Sequence, residues 1–261
     1  MSAERQPALF IGHGAPIHAL QDNPLTRSWI ALGRRLPRPR AILSISAHWE
    51  TKGVLITAAE HPRTIHDFYG APQALYDITY PAPGDPALAK AIETRLAAFR
   101  ARADLDGWGL DHGTWSVLKF LFPQADVPVL QLSLDLRRTP AEHYEIGKAL
   151  AGLRDEGVLI MGTGNIVHNL RLLDPRSLAP LPWAKTFDDG VASRIISGDH
   201  ASLIDYLGIG PEAALAVPEP DHYLPLLYVL ATQEPQEPVS VFNQVIVGPL
   251  SMTSATVGLA A

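Results

Sequence analysis

Short apolar runs recur along the chain. Ala8–Ile11, Ala41–Ala47, Val54–Thr57, Val127–Leu134, Val158–Met161 and Val239–Val247 are mostly hydrophobic and are bounded by Pro or Gly. Runs of this length read as strands of a sheet covered on both faces. Between them the period changes to that of a helix. Asp85 caps a predicted helix with Pro86 in its first turn, and Leu88, Ile92, Leu96 and Phe99 share one face. Thr139, Pro140 and Glu142 form a capping-box start, followed by Ile146, Leu150 and Leu153. Phe187, Val191 and Ile195 repeat at helical spacing, as do Leu203 and Leu207, and a further helix is expected over Tyr223–Ala231. Strands alternating with helices predict one three-layer α/β/α domain over residues 1–261 with a central mixed sheet. The Pro-rich stretches Pro81–Pro86, Pro175–Pro182 and Pro235–Pro238 read as surface connections within it.

Composition narrows the chemistry. With 47% hydrophobic and 18% charged residues, the chain can bury an ordinary core. A formal charge of -6 gives no electrostatic footprint for nucleic acid. The basic stretch Arg34, Arg35, Arg38 and Arg40 is broken by prolines and reads as a solvated loop. No cysteine is present, which excludes disulfides, thiolate zinc sites, Cys nucleophiles and Cys-ligated clusters. Any metal must therefore be held by nitrogen or oxygen. The polar start Met1–Pro7 does not read as a signal peptide, and no apolar stretch reaches membrane-spanning length, so a cytoplasmic enzyme is expected.

The ten histidines carry the functional signal. His13, in Gly12-His13-Gly14, follows the first apolar run, where flanking glycines let backbone and ligand approach closely. His48 holds the equivalent place after the second run. His168 follows the Gly-rich turn Gly162-Thr163-Gly164-Asn165 after a third. Open α/β sheets place their sites beyond the carboxyl ends of strands, so these imidazoles can converge on one metal. His222 sits at a helix start with Asp221 as the expected cap, and His112 just before a helix with Thr114 as its cap. His66 lies in a loop among aromatic residues. His18, His61, His143 and His200 lack such settings and read as structural, His143 on a helix surface. No dinucleotide fingerprint, P-loop, nucleophile elbow or His-Glu-x-x-His pair competes.

Seven blocks in order, from about residue 9 to residue 252, resemble the 4,5-DOPA extradiol dioxygenase family of the class III extradiol (LigB-like) superfamily. They are Gly12-His13-Gly14-Ala15-Pro16, Ser46-Ala47-His48-Trp49, Thr64-Ile65-His66-Asp67-Phe68, Tyr80-Pro81-Ala82-Pro83-Gly84, Leu110-Asp111-His112-Gly113-Thr114-Trp115, Gly162-Thr163-Gly164-Asn165 with His168-Asn169-Leu170, and Pro220-Asp221-His222-Tyr223-Leu224-Pro225. The resemblance implies His13, His48 and His222 as metal ligands, with His168 at the site either as a fourth ligand or as a residue acting on substrate. It implies His112 as the acid/base, and His66, His168 and Tyr223 as substrate contacts. Gly12 and Ala15 stand where the family commonly has serines, and Tyr69-Gly70-Ala71-Pro72 replaces a Gly-Phe-Pro pattern, so the pocket wall departs more than the metal set.

The implied reaction is extradiol opening of a catechol by dioxygen on a histidine-held metal with open positions. Histidine suits the acid/base role because its ordinary pKa lies near neutral pH. Iron(II) is the ion this chemistry requires, and zinc is the ion a nitrogen site retains under the Irving–Williams trend. Two alternatives stay open: a zinc hydrolase using Glu50 or Glu219 as base, and a non-enzymatic metal- or ligand-binding protein. Monomer and homo-oligomer are equally open.

Overall fold

In the computed structural model, which describes residues 4–104 and 107–259, the apolar runs assemble into an eight-stranded mixed sheet. Its strands are β1 (Ala8–Gly12), β2 (Ala41–Glu50), β3 (Leu55–Thr57), β4 (Arg102–Asp104), β5 (Val129–Leu134), β6 (Val158–Gly164), β7 (Val239–Phe242) and β10 (Ser254–Val257). A separate two-stranded ribbon joins β8 (Ile246–Val247) to β9 (Leu250–Ser251). The spatial order is β4-β3-β5-β2-β6-β1-β10-β7. The four inner strands β5, β2, β6 and β1 are parallel, flanked by antiparallel β3 and β10.

Side chains alternate between two cores, as the strand period requires. Ala8 and Phe10 of β1 pack with helices Pro86–Arg95, Pro140–Leu150, Pro182–Ser197 and Leu224–Leu230. Leu9 and Ile11 face Trp29 and Leu32 of helix Pro24–Arg35 and Trp115 and Leu118 of helix His112–Leu121. Helices thus cover both faces, which is why the inner strands are largely apolar, with Ser44, Ser46, Gln131 and Ser133 as buried polar exceptions. Each fully buried Leu, Ile or Phe contributes about 1.5–3 kcal/mol.

Local chemistry sets the helix starts. Asp85 accepts from the Leu88 N–H, and Thr139 with Glu142 closes a capping box, both as expected. Asn23 with Thr26 closes another that the hydrophobic pattern does not signal. The cap of helix His112–Leu121 is Asp111, not Thr114: the Thr114 N–H donates to Asp111 Oδ1 at 3.2 Å. Asp221 caps no helix, because helix Leu224–Leu230 begins after Tyr223.

Other expectations are revised. The run Val239–Val247 is broken at Asn243, which adopts a left-handed φ of 52°, so β7 and β8 belong to different sheets. The half-polar β10 was not signalled, yet it is fully buried beside β1. His143 is not on a surface but fully buried, with Nδ1 2.8 Å from the Tyr228 hydroxyl. The helix around Leu203 stops at Ile204, leaving Leu207 exposed. Among the described residues, no helix is long and apolar enough to cross a membrane.

Candidate metal centre

Gly12 and Gly164 pair at the carboxyl ends of β1 and β6, with β2 alongside. His13 is the first residue past β1, and its N–H donates to the Gly164 carbonyl at 3.1 Å. His48 is not beyond β2 but within it, where the register against β5 shifts between Ile45 and Glu50. Such a bulge re-aims a side chain that regular alternation would place elsewhere. His112 opens its helix because Asp111, fully buried, is held by Ser46 Oγ and Gln131 Nε2, each at 2.7 Å. The His168 N–H donates to the Ala216 carbonyl, and the His222 carbonyl accepts the Asn165 N–H, both at 2.9 Å. Five imidazoles from distant parts of the chain are thereby carried to one cavity of about 330 Å³.

The ring centres of His13 and His48 are 5.0 Å apart, those of His48 and His222 5.0 Å, and those of His13 and His222 5.6 Å. Imidazoles bound at about 2.1 Å and roughly 90–110° apart on one ion hold their ring centres about 4.6–5.3 Å apart. The Nε2 atoms of His13 and His48 lie 3.0 Å from each other, the spacing of neighbouring ligands on one cation. His112 is close by, 4.0 Å from His48 between ring centres. Its ligand atom lies within 4.8 Å of those of His13 and His48, and a second such group joins His168, Asp221 and His222. His168 lies flat on His222, with centres 3.4 Å apart and planes within 4°.

Two carboxylates set the imidazole orientations. Asp221 Oδ2 accepts from His222 Nδ1 at 2.5 Å, leaving the Nε2 lone pair free. Asp67 Oδ2 lies 3.3 Å from His48 Nδ1 and 3.0 Å from His112 Nδ1, while Oδ1 accepts the His112 backbone N–H at 2.8 Å. Carboxylates behind ligating histidines in this way fix tautomer and ring direction.

Burial and the neighbouring imidazoles drive His13 and His222 well below the usual histidine range. Burial and His112 bring His48 down to about 3 despite opposing pulls from Asp67 and Asp221. Burial lowers His168 to about 4. Burial alone would raise Asp67, but His112 and His48 outweigh it and hold its carboxyl below the ordinary value. At neutral pH these four imidazoles are uncharged and present lone pairs, the state a cation requires. The donor set fits a divalent metal: neutral nitrogens, carboxylates behind them, and an open side.

That open side is apolar. Phe68, Leu170, Leu173 and Leu250 line the cavity with the histidines, and the Phe68 ring meets His112 edge-on at 5.6 Å. Two predicted substrate contacts lie elsewhere. Tyr223 is fully buried in the core, where its hydroxyl donates to the Leu203 carbonyl at 2.9 Å. His66 packs behind Phe68 and beside Trp115, with Nε2 2.9 Å from the Ile78 carbonyl. The adjacent Asp67 and Phe68 line the cavity instead. Asp67 has no strand-end or helix-start pattern of its own; its one local signal is an acidic residue between His66 and Phe68. Asn165, at the end of the Gly-rich turn, also reaches the cavity and donates from Nδ2 to the Ser251 carbonyl at 2.6 Å. Glu50 and Glu219 are exposed, and Glu219 pairs with Arg171 at 3.2 Å.

The chain has close relatives. The family model described as the catalytic LigB subunit of aromatic ring-opening dioxygenase matches residues 7–256. The chain is 47% identical over 263 residues to a 4,5-DOPA dioxygenase extradiol of Escherichia coli (strain K12), covering 99% of this chain and 97% of that protein. It is 39% identical over 222 residues to the protein of the same name from Beta vulgaris, covering 83% of each. A crystal structure of an uncharacterized Escherichia coli K12 protein superposes with a TM-score of 0.85 at 42% identity, covering 97% of this chain and 100% of that one.

Proposed function

The chain belongs to the LigB family of aromatic ring-opening dioxygenases, and on that footing we propose that it opens the ring of a catechol with dioxygen, using one divalent metal held by His13, His48 and His222. The observation that carries this reading is the set of three uncharged imidazoles with ring centres 5.0–5.6 Å apart beside an apolar wall. When bound, a redox-active divalent metal supplies the Lewis acidity that ionises a diol and the electrons that activate dioxygen.

The chain's own residues do the rest. Phe68, Leu170 and Leu173 receive the aromatic ring and exclude water from it. His112, which lines the cavity, accepts a hydroxyl proton as the diol binds and returns it later in the cycle. Asp67 positions the His112 ring through its Nδ1 side and the backbone N–H. His168 serves better as a substrate contact than as a fourth ligand. Its ring centre lies 3.4 Å from that of His222, short of the about 4.6–5.3 Å at which two imidazoles share one ion. Iron(II) is the working ion of this proposal, because zinc has no redox chemistry. The hydrolase alternative draws no support, since its glutamate bases are exposed and outside the residues that line the cavity.

The test is anaerobic loading with iron(II), followed by oxygen uptake and absorbance of a ring-opened product across a panel of catechols. His112→Gln should keep the metal and lose about 10²–10⁴ in turnover, whereas His48→Ala should lose the metal. Iron-loaded protein that consumes no oxygen with any catechol, or a His112→Gln variant with normal turnover, would end this reading.

A further inference from the structure

A larger cavity, of about 780 Å³, lies away from the histidines. Lys52, after β2, and Arg137 and Arg138, after β5, meet Arg102 at the start of β4 and Arg100 just before it. Because β3 and β4 run opposite to β5, all five cations gather at the sheet end where the parallel strands finish. That is the end that carries the histidines, but toward the β4 edge. Five cations gather around Asp135, with Glu142 3.6 Å from Arg138, so positive charge remains in excess here on a chain whose formal charge is -6.

The basin is partly preorganised. Asp135 is 3% exposed and grips Arg137 in a fork, with Nε at 2.7 Å and Nη2 at 2.9 Å. Arg138 donates from Nη2 to the Phe99 carbonyl at 3.0 Å and lies 5.8 Å over the Phe99 ring, while its buried Nε makes no hydrogen bond but lies 3.7 Å from Asp135 Oδ2. Arg100 is held at a left-handed φ of 58°, its N–H on the Ala97 carbonyl. Among the described residues, no carboxylate pairs with Lys52, Arg100 or Arg102. The basic run visible in the sequence contrasts with this, since Arg38 there pairs with Asp126 at 3.0 Å and Arg40 donates to the Glu156 carbonyl at 2.7 Å.

We propose that this cleft binds a compact, multiply charged phosphate ester. Guanidinium forks match phosphate oxygens in pairs, and a multivalent anion relieves the mutual repulsion of the cations. The cleft is bounded, and the one aromatic face in it is already covered by Arg138, so it offers neither a track nor a stacking platform for a nucleic-acid strand. None of its residues lines the histidine cavity, so this inference stands or falls independently of the ring-opening reading.

The probe is fructose 1,6-bisphosphate, titrated calorimetrically into the full chain at physiological ionic strength, with fructose as the uncharged control. Saturable 1:1 binding of the bisphosphate and none of fructose is expected. The double variant Arg100→Ser, Arg102→Ser should weaken binding at least about tenfold with an unchanged melting curve, both side chains being exposed. Absence of bisphosphate binding, or equal binding by the double variant, would overturn the proposal. Tighter binding of a single-stranded RNA lost in the same variant would overturn it in favour of a polymer.

Discussion

A methyl group at Gly164 should disable the metal centre through backbone alone. A Cβ there would sit 2.1 Å from the His222 carbonyl oxygen, 3.0 Å from the carbonyl carbon and 3.3 Å from Cα. The first contact is roughly 1 Å too close for non-bonded atoms. Neither side yields easily: Gly164 is paired with Gly12 in the sheet, and the His222 carbonyl is held by the Asn165 N–H. Overpacking of this kind costs about 1–3 kcal/mol, which for a chain of this size lowers Tm by roughly 2–12 °C. The more telling effect is local. His222 must retreat by about 1 Å, and misplacement on that scale costs on the order of 10²-fold in a reacting site. Gly164→Ala should therefore bind divalent metal roughly 10–100-fold more weakly, measured by competition with a chromogenic chelator, and melt earlier in calorimetry. Gly190→Ala is the control. That residue lies within helix Pro182–Ser197, its added methyl would meet side chains alone, Ile209 Cγ2 at 3.3 Å and Arg194 Nη1 at 3.5 Å, and helix propensity favours alanine. It should keep wild-type metal affinity and lose no stability. A Gly164→Ala protein with wild-type metal affinity would refute the claim that the β6 end positions His222.

Two further outcomes are expected. Asp67→Asn removes the charge behind both His48 and His112, so metal affinity should fall about 10–100-fold in the same chelator assay, and an unchanged affinity would deny Asp67 its orienting role. Burial holds His143 at about 4, so it stays neutral in the fold while the unfolded chain takes up a proton below about pH 6.5. Its contribution to stability is thus complete above pH 6.5 and declines as the pH falls toward 4, by roughly 3 kcal/mol at most; Arg138, Asp135 and Glu142 modulate it. Urea unfolding at pH 7 and 4.5 should show a smaller acid loss for His143→Gln than for wild type, and equal losses would place the acid sensitivity elsewhere.

Much of this protein was legible in its sequence. The inner strands announce themselves because both faces are buried, so most positions are apolar. Asp85 and Thr139 mark helix starts because capping is local chemistry, settled within four residues. The approach of His13, His48 and His168 was partly readable, because the ends of parallel strands share one edge, whereas His112 and His222 stood at helix starts and took their roles from the family resemblance. Other features depended on contacts that no local pattern encodes. Buried β10 carries Ser254 and Thr256, whose polarity hides a strand that β1 and β7 enclose. His143 looks like a surface residue until Tyr228, eighty-five positions away, supplies its partner. Tyr223 and His66 lie beside site residues in the chain yet point away from the cavity, because adjacent side chains leave the backbone in different directions. Asp67 gained its place only when a loop folded over the start of a distant helix. Side-chain direction, ring stacking and the gathering of Lys52, Arg100, Arg102, Arg137 and Arg138 into one cleft are likewise properties of long-range packing. Periodicity and capping are fixed by near neighbours along the chain, whereas the meeting of charges and rings is fixed by which surfaces the sheet brings face to face.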